Sequence, residues 1–273
     1  MKKYNRYPGF LDLIKLDNCD STNNYLKENY EQLKEKFPVL ISAAQQIRGR
    51  GRWDRTWESQ KDLGLYSTFG FYLDSSSALN LLPLTAGISV IETLNEITQF
   101  PGDSDRGRDS GFGLKWPNDI LAGNRKIAGI LIENTLFKEK VFSVTGIGIN
   151  LNHTTENFSG SLKDTATSLR LITGKIHSIE EVNKVLSHIF FSWLEKLKSN
   201  EQKKIIEKAN RYSVFLKDRP ITFHRDNTVL TAIFRGINSD GGVILEGRRG
   251  TEKIYYSGEI TPASQGINYE HIK

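Results

Sequence analysis

Two stretches, Arg125–Glu133 (RKIAGILIE) and Val141–Asn150 (VFSVTGIGIN), restrict the fold more than any other part of the chain. Neither Ile127–Ile132 nor Val141–Asn150 contains a charged residue. Such uncharged runs, rich in β-branched residues, read as strands of a sheet covered on both faces. The Gly123-Asn124 turn makes the first of them the return leg of a hairpin that starts near Leu114–Ile120. Gly129, Gly146 and Gly148 interrupt otherwise bulky strands, and a side chain missing from a strand marks close approach of a ligand or of another backbone.

The remaining elements follow from periodicity. Residues 11 to 16 read as a short strand. Asp20-Ser21-Thr22-Asn23 then supplies capping side chains for a helix carrying Leu26, Tyr30, Leu33 and Phe37, which Pro38 stops. Those capping side chains are equally suited to a ligand. Val39–Gln45 and Gly64–Leu73 read as strands, and Ala78–Thr98 as a helix with one broad apolar face. Pro101–Gly113 reads as an exposed, mobile loop with Arg106 and Arg108 in solvent, and Asn152–Asp164 as a polar loop. Ser178 and Glu181 form a capping box for an amphipathic helix that continues to about Tyr212. After Leu216 the texture changes to short strands (Pro220–Phe223, Val229–Ile237, Val243–Glu246 and Ile254–Tyr256) divided by the Asp240-Gly241 turn and the Gly247–Gly250 segment, as in a small barrel. The expected architecture is α+β: a mixed sheet with packed helices over residues 1–213, then a small β-barrel over 214–273.

What is missing narrows the chemistry. No G-x-x-x-x-G-K-S/T loop and no G-x-G-x-x-G spacing occur, so a nucleotide would need another cradle. The five histidines have no H-x-x-x-H or cysteine partners, which gives no metal site made of protein ligands alone. There is no G-x-S-x-G elbow, and the single cysteine, Cys19, lacks a nucleophile signature, so covalent catalysis by this chain is not expected. One cysteine also excludes an internal disulfide and fits a reducing, cytoplasmic compartment; no segment reads as a membrane span or a signal peptide. The net charge of +5 permits a phosphate or nucleic-acid partner without requiring one.

The positive signal is Gln45–Trp57, QQIRGRGRWDRTW, where Arg48, Arg50, Arg52 and Arg55 are interleaved with Gly49 and Gly51. Glycines let the backbone approach a ligand, and guanidinium forks hold phosphate oxygens in pairs. A solvated basic turn would carry the same residues. Lys115 and Lys126, with Asn118 and Asp119, stand at the boundary of the uncharged strands; they suit a phosphate site, or serve as protective edge-strand lysines.

Set in order, these blocks resemble biotin protein ligases over nearly the whole chain. The family's D-S-T-N turn, Q-x-x-G-R-G-R loop, K-W-P-N-D block, R-K-x-A-G-I-L-x-E strand and G-x-G-I-N strand end are met by Asp20–Asn23, Gln46–Arg52, Lys115–Asp119, Arg125–Glu133 and Gly146–Asn150. The terminal barrel resembles that family's SH3-like domain, with Ile237–Gly241 and Ser257-Gly258-Glu259 in the matching places. The resemblance implies a ligase that makes biotinyl-5′-AMP from biotin and ATP, with Mg2+ on the phosphates, and passes biotin to a lysine of a biotin carboxyl carrier protein domain. It implies biotin contacts from Ser21, Thr22, Asn23, Gln46, Gly129, Leu131, Gly146 and Asn150. It implies ATP and adenylate contacts from Arg50, Arg52, Arg55, Trp57, Lys115, Asn118, Asp119 and Lys126, with Lys126, Arg52 and Lys115 as the catalytic cations.

Trp53-Asp54 and Gly64 depart from the family pattern, in which a glycine commonly follows the arginine loop and an asparagine precedes L-Y. About twenty residues precede the D-S-T-N block, too few for the winged helix of the biotin-dependent repressors, so sequence-specific DNA binding is not expected; homodimerisation through a sheet edge is compatible with the family. Two rivals differ in class or substrate. A lipoate–protein ligase shares the architecture but wants a longer, purely apolar slot, and a basic nucleic-acid-binding module would show Trp53 and Trp57 exposed beside the arginines and no pocket.

Overall fold

A computed structural model describes residues 12–74, 76–100, 111–137, 140–199, 201–226, 228–247 and 250–263. Arg106 and Arg108 lie outside the described residues. The strands are β1 (Asp12–Cys19), β2 (Val39–Gln46), β3 (Gly64–Leu73), β4 (Phe112–Lys115), β5 (Asp119–Ala122), β6 (Arg125–Phe137), β7 (Lys140–Asn150), β8 (Arg219–Arg225), β9 (Thr228–Ile237), β10 (Val243–Glu246), β11 (Glu252–Tyr255) and β12 (Glu259–Pro262). The helices are α1 (Thr22–Glu28), α2 (Tyr30–Leu33), α3 (Leu82–Thr98), α4 (Leu162–Thr165), α5 (Leu169–Thr173), α6 (Ile179–Lys198) and α7 (Gln202–Tyr212).

The first seven strands form one sheet in the order β1-β2-β3-β7-β6-β5-β4. β1 and β2 are parallel, joined through the α1–α2 crossover, and every other pair is antiparallel. The two uncharged stretches are β6 and β7, paired from Ala128↔Ile149 to Phe137↔Lys140 near the middle of the sheet. Successive side chains of a strand point to opposite faces. On one face Ile130, Phe69 and Phe71 meet α3 and α6, with the Phe69 and Phe190 rings 4.6 Å apart. Threonine and serine within α3 are buried at no polar cost: Thr85, Ser89 and Thr93 donate to the carbonyls of Leu81, Thr85 and Ser89 at 2.9, 2.8 and 2.7 Å. On the other face α1 covers only part of the sheet, through Leu26 packed with Val39, Ile41, Phe142 and Val144. The first turn of α1 reaches the glycine-bearing part of β7 through Asn23, and the space left beside it positions the site.

The last five strands form a second, antiparallel sheet, β11-β10-β9-β8-β12, so the region after Leu216 is built from strands as expected. It is seated on the first domain through Trp116, whose indole donates to the Gly241 carbonyl at 3.0 Å, and through Asn210, which exchanges hydrogen bonds with Ile237 at 3.1 and 2.9 Å. No described helix is long and apolar enough to cross a membrane.

Several expected boundaries shift. The helix expected from Ser21 to Phe37 breaks at Asn29, whose φ/ψ of −102° and 17° leave the helical region while its side chain donates to the Tyr25 carbonyl at 2.8 Å. An amide that satisfies the backbone locally ends the helix, and α2 starts afresh. The long helix to Tyr212 is two helices, α6 stopping where Ser199 turns extended (φ −87°, ψ 172°). The segment before Leu82 is a 3-10 turn, so α3 starts four residues later than periodicity indicates, with proline in its first turn. Phe112 and Gly113 belong to β4, not to a loop, because they pair with Ala122 and Leu121. The expected polar loop 152–164 contains a 3-10 turn and the start of α4.

Candidate active site

The uncovered patch is the floor of a cavity of about 760 Å³, walled by the arginine loop, the start of α1, the β4–β5 corner and, from the second domain, β8 and β12. All sixteen residues to which the sequence assigns a binding or catalytic role line this one cavity. The pairing explains why. Gly129 faces Gly148 and Leu131 faces Gly146 across β6 and β7, so of four neighbouring floor positions only Leu131 has a side chain. Neighbours fill the vacated space: a methyl group on Gly146 would lie 2.3 Å from Asn23 Oδ1, and one on Gly148 2.6 Å from the Trp57 indole. Asn23 and Trp57 are thus laid directly on bare backbone.

At the Asn23 end the groups are neutral and closely hydrogen-bonded. Gln46 Oε1 accepts from the Thr22 backbone N–H and hydroxyl at 2.9 and 3.1 Å, while Gln46 Nε2 donates to Ser59 Oγ at 2.9 Å. Thr68 Oγ1 is 2.7 Å from both Thr22 Oγ1 and Asn23 Oδ1. Ser21 holds the N-cap position of α1, yet its hydroxyl makes no capping hydrogen bond and stays available at the buried edge of the cavity. Burial and the Asp20 charge push the Cys19 thiol up to about 11, which disfavours its thiolate at neutral pH.

Toward the other end the groups are cationic. Strict alternation would turn Lys126 away from the floor, but β5 and β6 shift register between Ile120 and Leu121, and the extra β6 residue re-aims Lys126 beside Gly129. Its ammonium is 2.7 Å from Asp119 Oδ1, close but not aligned as a hydrogen bond, and 5.4 Å from the centre of the Trp57 ring. Arg50 reaches Asn24 Oδ1 at 3.1 Å and Glu133 at 3.4 Å, and Arg52 donates to Asn118 Oδ1 at 2.8 Å. Asn118 also donates to the Ile130 carbonyl at 3.0 Å, which fixes its amide with the oxygen toward Arg52. Partial burial lowers the guanidinium pKa of Arg52, against the raising charges of Asp119 and Glu259. Arg55 and Lys115 both bind Glu259, at 2.9 and 3.0 Å. Burial opposes the charge on Glu259, but these two donors prevail and hold its carboxyl down at about 2. Each of these five cations therefore has a hydrogen-bond acceptor or, for Lys126, a carboxylate beside it whose place an anionic ligand could take.

The loop itself is a closed turn: Arg50 and Thr56 bridge, Gly51 N–H donates to the Arg55 carbonyl at 2.6 Å and Trp57 N–H to the Gly49 carbonyl at 2.9 Å. Trp53 and Asp54, where the chain departs from the family pattern, adopt left-handed φ of 54° and 55°, a conformation costing roughly 1–2 kcal/mol per residue. Trp53 recovers part of this by lying beneath the Arg52 and Arg55 guanidinium groups, 4.3 and 5.3 Å from its ring.

Asn150 lies four residues beyond Gly146, roughly 13 Å along the strand. Its amide donates to the Thr167 carbonyl at 3.0 Å, and Thr167 N–H in turn donates to the Lys126 carbonyl at 2.9 Å. Asn150 therefore belongs to the Lys126 end, with Trp57 between it and Asn23. His153 lines the same end, buried, stacked on Phe158 at 5.2 Å and with Nδ1 lacking a hydrogen-bond partner; burial pulls its pKa down to about 4, against the Glu58 charge.

The sequence motifs include Glu133 and Glu259 but assign no site role to them, nor to Thr68 or His153. Glu133 could have been found, because it ends the uncharged run on the same strand face as Gly129 and Leu131. Thr68 needs the β3–β7 register, and Glu259 meets Arg55 across 204 residues of chain, which no local pattern encodes.

Residues 16–152 match the model of the biotin/lipoate A/B protein ligase family, and residues 218–261 that of the biotin protein ligase C-terminal domain. The chain is similar to the biotin protein ligase of Aquifex aeolicus solved with biotin and ATP, at 33% identity and a TM-score of 0.72, covering 92% of this chain and 97% of that one. It is 30% identical over 227 residues to the bifunctional ligase/repressor BirA of Bacillus subtilis and 28% identical over 247 residues to that of Escherichia coli. These matches take in 80% and 89% of this chain, which spans 64% and 71% of the two relatives' lengths. With a family model over half of its length and a solved relative matched almost end to end, the chain belongs to the biotin/lipoate A/B protein ligase family and carries the C-terminal domain of its biotin protein ligases.

Proposed function

We propose that this protein is an ATP-dependent biotin–protein ligase. The observation that supports the reading best is a single cavity with a neutral, hydrogen-bonding end at Thr22, Asn23 and Gln46 and a cationic end at Arg50, Arg52, Arg55, Lys115 and Lys126, over one glycine floor. A ureido ring needs fixed donors and acceptors inside an otherwise apolar slot, and the Asn23 end supplies both kinds. A lipoyl chain offers no partner for those groups, which favours biotin over lipoate.

In the first step a biotin carboxylate oxygen attacks the α-phosphorus of ATP, forming biotinyl-5′-AMP, and pyrophosphate leaves with its electron pair. Lys126, Arg52 and Lys115 supply positive charge where negative charge grows on the phosphoryl oxygens, a contribution made by preorganisation. Arg50 and Arg55 bind the phosphates by leaving Glu133 and Glu259. Trp57 offers an aromatic face to the nucleotide, and Asn150, by its position, serves that end in preference to biotin. Mg2+ would bring charge neutralisation to the triphosphate; with no group of three His, Cys, Asp or Glu side chains converging among the described residues, it would be held by phosphate oxygens with Asp119 as the adjacent carboxylate. In the second step a lysine amine of a biotin carboxyl carrier protein domain attacks the anhydride carbonyl and AMP departs. The partner brings the nucleophile, in keeping with the raised pKa of the Cys19 thiol.

The same reading places the protein with cytoplasmic carboxylases. It gives no role to sequence-specific DNA, for which a net charge of +5 supports only salt-sensitive contacts. Incubation with ATP, a carrier domain and either labelled biotin or labelled lipoate tests it. Label on the carrier lysine from biotin alone is expected, and transfer of lipoate with biotin refused would overturn the substrate.

A further inference from the structure

Glu133 follows Gly129 and Leu131 on the same face of β6 and stands just beyond the cavity that those two line. Its two carboxylate oxygens are divided between two functions. Oε2 accepts from the Asn23 amide at 2.9 Å, and Oε1 accepts from Lys27 at 2.7 Å and from Arg50 at 3.4 Å. Burial raises its pKa, but the hydrogen bonds from Lys27 and Asn23 and the Arg50 charge outweigh that and keep it ionised.

The consequence for Asn23 is directional. One amide hydrogen goes to Glu133 and the other to the Leu131 carbonyl at 3.3 Å, so the nitrogen cannot turn into the cavity. Oδ1 is left beside Gly146 and Thr68, where it presents an acceptor suited to a ureido N–H. The consequence for Arg50 is competitive, since the guanidinium that must meet phosphate oxygens rests on the same carboxylate. When Arg50 leaves, Glu133 keeps its charge with fewer donors, and its hydrogen bond to Asn23 strengthens.

We propose that Glu133 is a positioning residue that couples the two ends of the site: it fixes Asn23 as an acceptor for biotin and tightens that hold when a nucleotide phosphate draws Arg50 away. The proposal rests on the biotin–ATP reading above. Such coupling is reciprocal, so each ligand should strengthen the other through this carboxylate.

The test is calorimetric titration of biotin into the full chain, with and without an ATP analogue carrying a non-hydrolysable α,β-methylene bridge. Wild-type protein should bind biotin several-fold more tightly when the analogue is present. Glu133→Gln should weaken biotin binding about tenfold, the scale of one hydrogen bond to a charged group, and bring the coupling below about twofold. Lys27→Met, which removes the outer partner of Oε1 alone, should keep most of the coupling. Should Glu133→Gln fail to fold, Glu133→Asp carries the same requirement, because the shorter side chain keeps the charge while giving up the reach to Asn23. Undiminished coupling in a folded Glu133 variant overturns the proposal and leaves the ligase reading standing. Wild-type protein that does not bind biotin overturns both.

Discussion

Replacing Gly146 by alanine probes the floor of the site with a single methyl group. That methyl would lie 2.3 Å from Asn23 Oδ1, and ordinary contact requires Asn23 to retreat by about 1 Å. Retreat stretches the hydrogen bond from Thr68 at 2.7 Å and those to Glu133 at 2.9 Å and to the Leu131 carbonyl at 3.3 Å. Losing one neutral bond of about 1 kcal/mol and weakening one charge-assisted bond of about 1.5–3 kcal/mol removes about 2–4 kcal/mol from the arrangement that receives biotin. The dissociation constant should rise roughly 30- to 1000-fold. Calorimetric titration measures it, with circular dichroism confirming the fold. Gly111→Ala is the control, because a methyl group there meets nothing within 4 Å. A folded Gly146→Ala protein that binds biotin within about threefold of wild type would refute the argument that Asn23 must lie on bare backbone.

Other perturbations separate the remaining roles. Arg52→Gly removes the guanidinium held on Asn118 but leaves Lys126, Lys115 and Arg50, so biotinyl-5′-AMP should still form and should leave roughly ten to a hundred times faster; an unchanged release rate of preformed adenylate excludes a retaining role. Lys126→Met should lose both half-reactions while the fold persists, and near-normal pyrophosphate release would rule out the α-phosphate role. His153 is buried as the neutral imidazole with its pKa lowered to about 4, so between its ordinary 6.5 and about 4 the unfolded chain binds the proton more readily and stability falls as pH falls. That window is worth up to about 3 kcal/mol, and denaturant titrations of wild type and His153→Gln should show a shallower acid-side slope in the variant; identical slopes would contradict the assignment.

How far the sequence foretold this site depends on how locally each contribution is encoded. Gly64–Leu73 and Val243–Glu246 appear at the bounds that their alternation and turns imply, since a strand between clear breakers is a local property. The arginine loop, the lysines and the glycines were all legible, because a ligand cradle places particular residue types at fixed short spacings. Asn29 was less so: it scores as helical by the spacing of its neighbours, while its own side chain competes for the backbone. The bulge that turns Lys126 into the cavity appears only once β5 and β6 are paired. Glu259 is further from local reach, because it acts by bringing the second domain against Arg55 and Lys115.

If one cavity holds both halves of an acyl-adenylate, the most direct test is to look for that molecule. The purified chain would be incubated with biotin and ATP, freed of small molecules by rapid desalting, and divided between native mass spectrometry and addition of a biotin carboxyl carrier protein domain. Stoichiometric, non-covalent biotinyl-5′-AMP that disappears as an amide-linked biotin forms on the carrier lysine is the expected result. Biotin found covalently on the ligase before the carrier is added, or a carrier that gains biotin only while free ATP remains, would contradict it.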